Sequence, residues 1–223
     1  MSRGRPEVVA FDVNETLLDL APVRATLMEA GQPAALLGTV FARTLLTGFA
    51  SAMTGTWCGF RDAFDAALAQ ETDLPAQRRA VIADAFEELA PHRDVEPALR
   101  RLAAAGVRVV TLSHGSPGVA EAGLTRGGIA PLVERTLTSE TIRAWKPSRE
   151  VYLWAAGCCD VVPERMALVA AHGWDVLGAQ RAGLTGAWFP RSERVYPAVY
   201  EQPHVAGRDL AGAVDALLAL PAA

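Results

Sequence analysis

Residues 7–19 read E-V-V-A-F-D-V-N-E-T-L-L-D, and this stretch decides the fold. The apolar run Val8–Phe11 stops at Asp12, and Asn14 and Glu15 make a polar turn two residues later. A short continuous apolar run bounded by a turn predicts a strand over Glu7–Val13, buried on both faces. Strands of that kind belong to parallel sheets covered by helices on either side. In open sheets of this class the ligand crevice lies outside the carboxyl ends of the strands. Asp12 is therefore expected at a crevice.

Downstream the periodicity changes twice. From Pro22 to about Ala90, Ala, Leu and Phe recur at three- and four-residue spacing, punctuated by Pro33, Gly55 and Pro75. That predicts about four helices and no strand. After Pro97 helices and strands alternate. A helix over Pro97–Ala105 ends at Gly106, and the strand V-R-V-V-T-L leads to Ser113. A helix from Pro117, a weak strand at Arg135–Thr138 and a helix over Ser148–Cys158 follow. A strand at Met166–Ala170, a helix over Gly173–Ala182, a strand at Gly186–Phe189 and a helix over Asp209–Leu220 complete the pattern. Strand–helix alternation implies a three-layer α/β fold, a Rossmann-like parallel sheet. Residues 1–20 and 92–223 are expected to form this core, and residues 21–91 a helical cap inserted after the first strand.

Composition narrows the class. About half of the 223 residues are hydrophobic, enough for a sizeable core, and the net charge is −4. Lys and Arg are dispersed rather than striped, which argues against nucleic acid as a partner. Met1–Pro6 is short and polar with no signal-peptide core, and no uninterrupted apolar run reaches the ~18–20 residues of a membrane span. Cys58, Cys158 and Cys159 lack metal-ligand spacing, so reduced thiols in a cytoplasmic protein are expected.

Four polar sites fall at or just beyond strand ends: Asp12 with Asn14-Glu15-Thr16, Ser113-His114, Lys146, and His172 with Asp175. Asp12 is either a carboxylate nucleophile or a strand-terminal cap of the next turn. As a nucleophile it would be held by loop N–H groups and the Thr16 hydroxyl. Lys146, unless it is a solvated surface lysine, would keep it ionised.

The order F-D-x-x-x-T, L-S-H-G-S, K-P with a Tyr six residues after Lys146, and V-A-A-H-G-W-D resembles the haloacid dehalogenase superfamily, and most closely its type II 2-haloacid dehalogenases. The resemblance implies in-line displacement at C2 of a small halogenated carboxylic acid by Asp12, then hydrolysis of the enzyme ester. Superfamily phosphatases carry a second Asp where this chain has Asn14, and magnesium-binding carboxylates where it has Ala170 and Ala171. Too few hard oxygen ligands remain for magnesium, so neither metal nor cofactor is expected. By the same resemblance Ser113 and nearby N–H groups bind the substrate carboxylate and His114 lies near the halide. Val13 and Asn14 complete the loop facing the substrate, and Phe41, Leu45, Phe60 and Trp174 form an apolar wall. Asp175 would pair with or orient Lys146, supported by Tyr152. Well-known members place an aromatic residue at the Asn14 position and an arginine early in the cap. Here Phe41 falls near that arginine's place, and Arg43 is displaced by roughly half a turn.

A branch that shares F-D-V-N-E-T and A-A-H-x-W-D implies His172 as the water-activating base and Glu15 as its orienter. A neutral imidazole suits that task near pH 7, with a carboxylate to fix its tautomer. His172 could instead be a core histidine, and Glu15 a solvated turn residue. The same resemblance implies a homodimer. Two alternatives stay open: a magnesium-dependent small-molecule phosphatase of the same superfamily, and an inactive member that binds a small acid or a protein.

Overall fold

Apolar neighbours enclose the first strand, β1 (Val8–Phe11), so completely that all four residues have no solvent exposure. The protein is described here by a computed structural model covering residues 3–222. Met1, Ser2 and Ala223, at the ends of the expected core, lie outside the described residues.

In chain order the strands are β1, β2 (Leu18–Asp19), β3 (Ala90–Pro91), β4 (Arg108–Ser113), β5 (Arg135–Thr138), β6 (Met166–Ala170), β7 (Thr185–Trp188) and β8 (Val205–Ala206). Six of them form one sheet in the order β5-β4-β1-β6-β7-β8, and every pairing in it is parallel. Strand order reverses between β1 and β6, the topological switch point at which this architecture opens a crevice. Alternate residues of β1 serve opposite faces. Val9 and Phe11 join one apolar cluster, and Val8 and Ala10 join the other.

Helices α1 (Ala21–Glu29), α2 (Leu36–Met53), α3 (Phe60–Glu71) and α4 (Ala76–Asp84) fill the segment between β2 and β3. Helices α5 (Val95–Ala104), α6 (Pro117–Arg126), α7 (Arg149–Cys158), α8 (Gly173–Ala182) and α9 (Leu210–Leu218) connect or follow the sheet strands.

Several details differ from the sequence expectation. β2 and β3 pair antiparallel at the base of the inserted helices. Each has only two residues, and Pro91 disguises the second. β8 escapes sequence reading for the same reason of length. α5 begins at Val95, ahead of Pro97, because a proline in a first turn has no intrahelical donor to lose. α2 has 18 residues and a mean hydropathy of 1.3, long and apolar enough by composition to cross a membrane, although no uninterrupted apolar run signals it. A third of it is buried against the rest of the fold.

The seam between α2 and the sheet is close. A Cβ at Gly48 would fall 2.2 Å from the Trp145 ring, so only glycine lets the helix backbone lie on that indole. Trp145 also donates its Nε1–H to the Cys58 carbonyl at 2.9 Å, tying the chain before α3 to the sheet side.

Candidate active site

Asp12 follows β1 directly, and its own N–H is bonded to the Val169 carbonyl of β6 at 3.1 Å. The side chain is buried and accepts at both oxygens. Oδ1 takes a proton from Lys146 Nζ at 2.8 Å, and Oδ2 takes one from the Thr16 hydroxyl at 2.7 Å. His172 Nδ1 also lies 3.0 Å from Oδ2. Burial alone would raise this carboxyl's pKa. The Lys146 charge and the His172 hydrogen bond outweigh it and hold Asp12 far below the usual carboxylate range.

Lys146 spends all three ammonium protons within the fold: on Asp12, on Asp175 Oδ2 at 2.6 Å and on the Leu112 carbonyl at 3.0 Å. Burial disfavours its charge, but the two carboxylates more than offset that and raise its pKa. Asp175, in the first turn of α8, receives the Tyr152 hydroxyl at 2.6 Å on its other oxygen. Burial leads the causes that raise Asp175, with Lys146 opposing. Thr16 is fixed as a donor to Asp12 because its oxygen accepts the Ala171 N–H at 3.0 Å.

His172 caps the start of α8 between two carboxylates. Nε2 faces Glu15 Oε2 at 3.2 Å, opposite the Asp12 contact at Nδ1. Burial works against a charged ring, yet hydrogen bonds and charge from Asp12 and Glu15 push its pKa up to about 10. Two carboxylates thus favour a protonated imidazole in the resting arrangement, and the neutral ring expected of a base belongs to the stage at which Asp12 has lost its charge. Glu15 reaches it from a left-handed backbone, φ 61°, an unusual conformation for a non-glycine residue.

One small cavity lies beside these groups. Asp12, Asn14, Phe41, Leu45, Phe60, Ser113, His114, His172 and Trp174 line it, and it holds about 10 Å³, room for about one water. His114 Nε2 accepts the Lys146 N–H at 2.9 Å, and burial leads the causes that lower its pKa well below normal. The ring is thus neutral, with its proton on Nδ1. Trp174 lies parallel to His114 and near-parallel to His172, with centroids 5.7 and 5.6 Å away. The Ser113 hydroxyl turns towards the Gly115 carbonyl at 3.3 Å.

The Val13 side chain lies in the core instead of the cavity wall, and its carbonyl receives the Leu17 and Leu18 N–H groups. Arg43 forms an ion pair with Glu71 on α3 and is half exposed, so it does not line the cavity, whereas Phe41 does. Sequence reasoning also missed Trp145, whose ring lies 4.5 Å from that of His114. Its only signal is an indole directly before Lys146.

Fold and site together define a class: a parallel α/β sheet whose central strand presents a buried, ion-paired carboxylate beneath an inserted helical layer. The chain belongs to the haloacid dehalogenase-like hydrolase family, whose model matches residues 6–183. It is 28% identical over 221 residues to the (S)-2-haloacid dehalogenase H-109 of Pseudomonas putida, covering 95% of this chain and 98% of that protein. A second relative, the (S)-2-haloacid dehalogenase of Pseudomonas sp. strain YL, is 28% identical over 131 residues, 59% of this chain and 56% of that one. The L-2-haloacid dehalogenase of Xanthobacter autotrophicus, solved also with chloropropionic acid covalently bound, superposes with a TM-score of 0.84 at 20% identity, covering 94% and 97% of the two chains.

Proposed function

We propose that this chain hydrolyses short 2-haloalkanoic acids to 2-hydroxy acids through an ester on Asp12, without a metal. The observation that carries the reading is a dry carboxylate kept ionised by Lys146, with a His172–Glu15 pair 3.0 Å from one of its oxygens. The names of the relatives support the same substrate class.

In the first half-reaction an Asp12 oxygen forms a bond to C2 while the carbon–halogen bond breaks and the halide leaves with the electron pair. No proton is needed. The water-poor, apolar wall favours this step because fixed dipoles replace the hydration of the nucleophile. His114 Nδ1–H and the loop from Ser113 are the donors proposed to face the substrate's carboxylate and the leaving halide, in place of a cap arginine.

Ester formation removes the Asp12 charge, one of the two that hold the proton on His172. His172 then sheds that proton to solvent and becomes the base. Water gives it one proton, attacks the ester carbonyl, and supplies its other proton to the departing alkoxide. Asp12 and the imidazolium are restored, with one proton, one halide and one 2-hydroxy acid released overall. General-base assistance of this sort is worth on the order of 10²–10⁴-fold.

A magnesium ion does not fit this donor set. Both Asp175 oxygens are taken by Lys146 and Tyr152, and both Asp12 oxygens by Lys146, Thr16 and His172. Residues 21–91 are proposed to act as the cap, and the chain to work in the cytoplasm as a homodimer, on the family resemblance and the cysteine content.

The test is halide release from 2-chloro- and 2-bromopropionate in EDTA, with p-nitrophenyl phosphate and magnesium in parallel. The expected result is halide release unaffected by EDTA. Asp12→Asn should abolish it, and His172→Ala should give one equivalent of halide and a trapped ester visible by mass spectrometry. Phosphate release alone, or full multiple turnover in His172→Ala, would overturn the reading.

A further inference from the structure

The cavity at Asp12 is too small to hold much beyond C2, and it opens on two unlike flanks. Towards His172 it adjoins a wide groove of about 530 Å³ of mixed lining, in which Leu20, Leu37 and Ala42 stand beside Glu15, Arg24 and Glu193. Towards the loop after β1 it shares Asn14 and Phe60 with a separate hollow of about 250 Å³. Phe64, Ala83, Phe86 and Val119 complete the apolar part of that hollow, under the inserted helices and against α6.

We propose that this second hollow is a subsite for an apolar substituent on C2, so that the preferred substrates are 2-haloacids bearing a group the size of butyl or phenyl. The proposal rests on the dehalogenation reading and narrows its substrate class. Three observations carry it. Asn14 and Phe60 line both the hollow and the reaction cavity, so these two side chains are all that separates a group on C2 from the hollow. Phe60, Phe64, Phe86, Ala83 and Val119 gather on one compact hollow, whereas the opposite groove is about twice as large and mixes Leu20, Leu37 and Phe41 with Glu15, Arg24 and Glu193, so an alkyl or aryl group is better enclosed on the Asn14 side. Its rim carries Glu87 and Glu140, and the charge of Arg61 is held by Asp84 at 2.5 Å. Two rim carboxylates repel the substrate's own carboxylate, so the acid group stays at the sheet side near Ser113 and only the neutral end enters. Asn14 is the junction, and a bulkier side chain there would narrow the passage.

The experiment compares halide release from 2-bromopropionate, 2-bromobutanoate, 2-bromopentanoate and 2-bromohexanoate in the wild-type protein and in Val119→Trp. Val119 touches the hollow but not the reaction cavity. Binding of the unreactive acids propionate, hexanoate and phenylacetate is measured by calorimetry alongside. For the wild type, KM should fall about fourfold with each added methylene while kcat changes little. Val119→Trp should abolish that gradient, both in KM and in the calorimetric affinities, and leave 2-bromopropionate turnover intact. Ala83→Leu, which fills the hollow from the other wall, should act in the same direction, and thermal melts check that both variants fold.

A KM that is flat or rises with chain length would overturn the subsite. So would a Val119→Trp protein that slows 2-bromopropionate as much as 2-bromohexanoate, since that marks an entry passage. Absence of halide release from every acid, with a calorimetric chain-length gradient that Val119→Trp removes, would sink the dehalogenation reading and leave the subsite standing.

Discussion

The two walls of the reaction cavity are built on different principles. The sheet wall carries Asp12, Lys146, Asp175 and His172, each buried and each with its polar atoms paired. The helical wall offers Phe41, Leu45 and Phe60, and its nearby arginine is turned out to Glu71. Charge is handled by groups at and beyond the strand ends, and the inserted helices supply apolar volume. Damage to the sheet wall should therefore be severe, because a partly satisfied buried network is costly. Damage to the helical wall should be graded, because apolar packing is lost a few atoms at a time.

The severest test is Lys146→Met. It leaves Asp12 and Asp175 as buried carboxylates sharing one site without a cation. Removing one partner of a buried pair costs about 3–5 kcal/mol, and the proposed nucleophile loses the cation that keeps it ionised. Halide release should vanish, and the denaturant midpoint should fall at neutral pH. A Lys146→Met protein of near wild-type stability and activity would erase the contrast between the walls.

The second test uses pH. The folded pKa of His172, about 10, lies above the ordinary imidazole value of 6.5, so its stabilisation is fully present below about pH 6.5. It is lost as pH rises through about 10. The stability advantage of the wild type over His172→Gln should shrink steadily across that window in guanidinium melts. An advantage constant with pH would mean that the ring is not charged in the resting fold.

The sheet wall is largely legible in the sequence, and the helical wall is not. Asp12, Lys146 and His172 each sit at or near a strand end next to a turn, and strand ends of a parallel sheet converge on one place. Local pattern nominates them, and the family resemblance supplies their expected roles. The charge on His172 is not legible, because it depends on Asp12 and Glu15 arriving at opposite ring nitrogens, a long-range fact. Trp145 looks in sequence like one more core aromatic. Its position under Gly48 depends on the packing of α2, which no local spacing encodes. The hollow beside Asn14 escapes for the same reason, since α3, α4 and α6 must all be placed before it exists.

Gly48→Val tests that packing. Its side chain would push into the Trp145 ring, and overpacking of this kind costs typically about 1–3 kcal/mol. Because Phe41 and Leu45 ride on the same helix, kcat/KM should fall while the Asp12 network stays intact. Retention of the His172→Gln stability difference in the Gly48→Val background would verify that separation.

The smallest effect is expected from Arg43→Gln. Arg43 lies two residues from Phe41, near the place where well-known members of the family carry a functional arginine, yet it points to Glu71 across the exposed surface of the helical layer. Its side chain is 46% exposed, and ion pairs in water contribute about 0–1 kcal/mol. The proposed substrate donors all belong to the sheet wall, so kcat/KM for 2-bromopropionate should stay at the wild-type value and the melting temperature should move little. A large loss of kcat/KM with unchanged stability would show that Arg43 swings into the cavity when substrate binds. The helical wall would then carry charge after all, and the division between the two walls would describe only the resting protein.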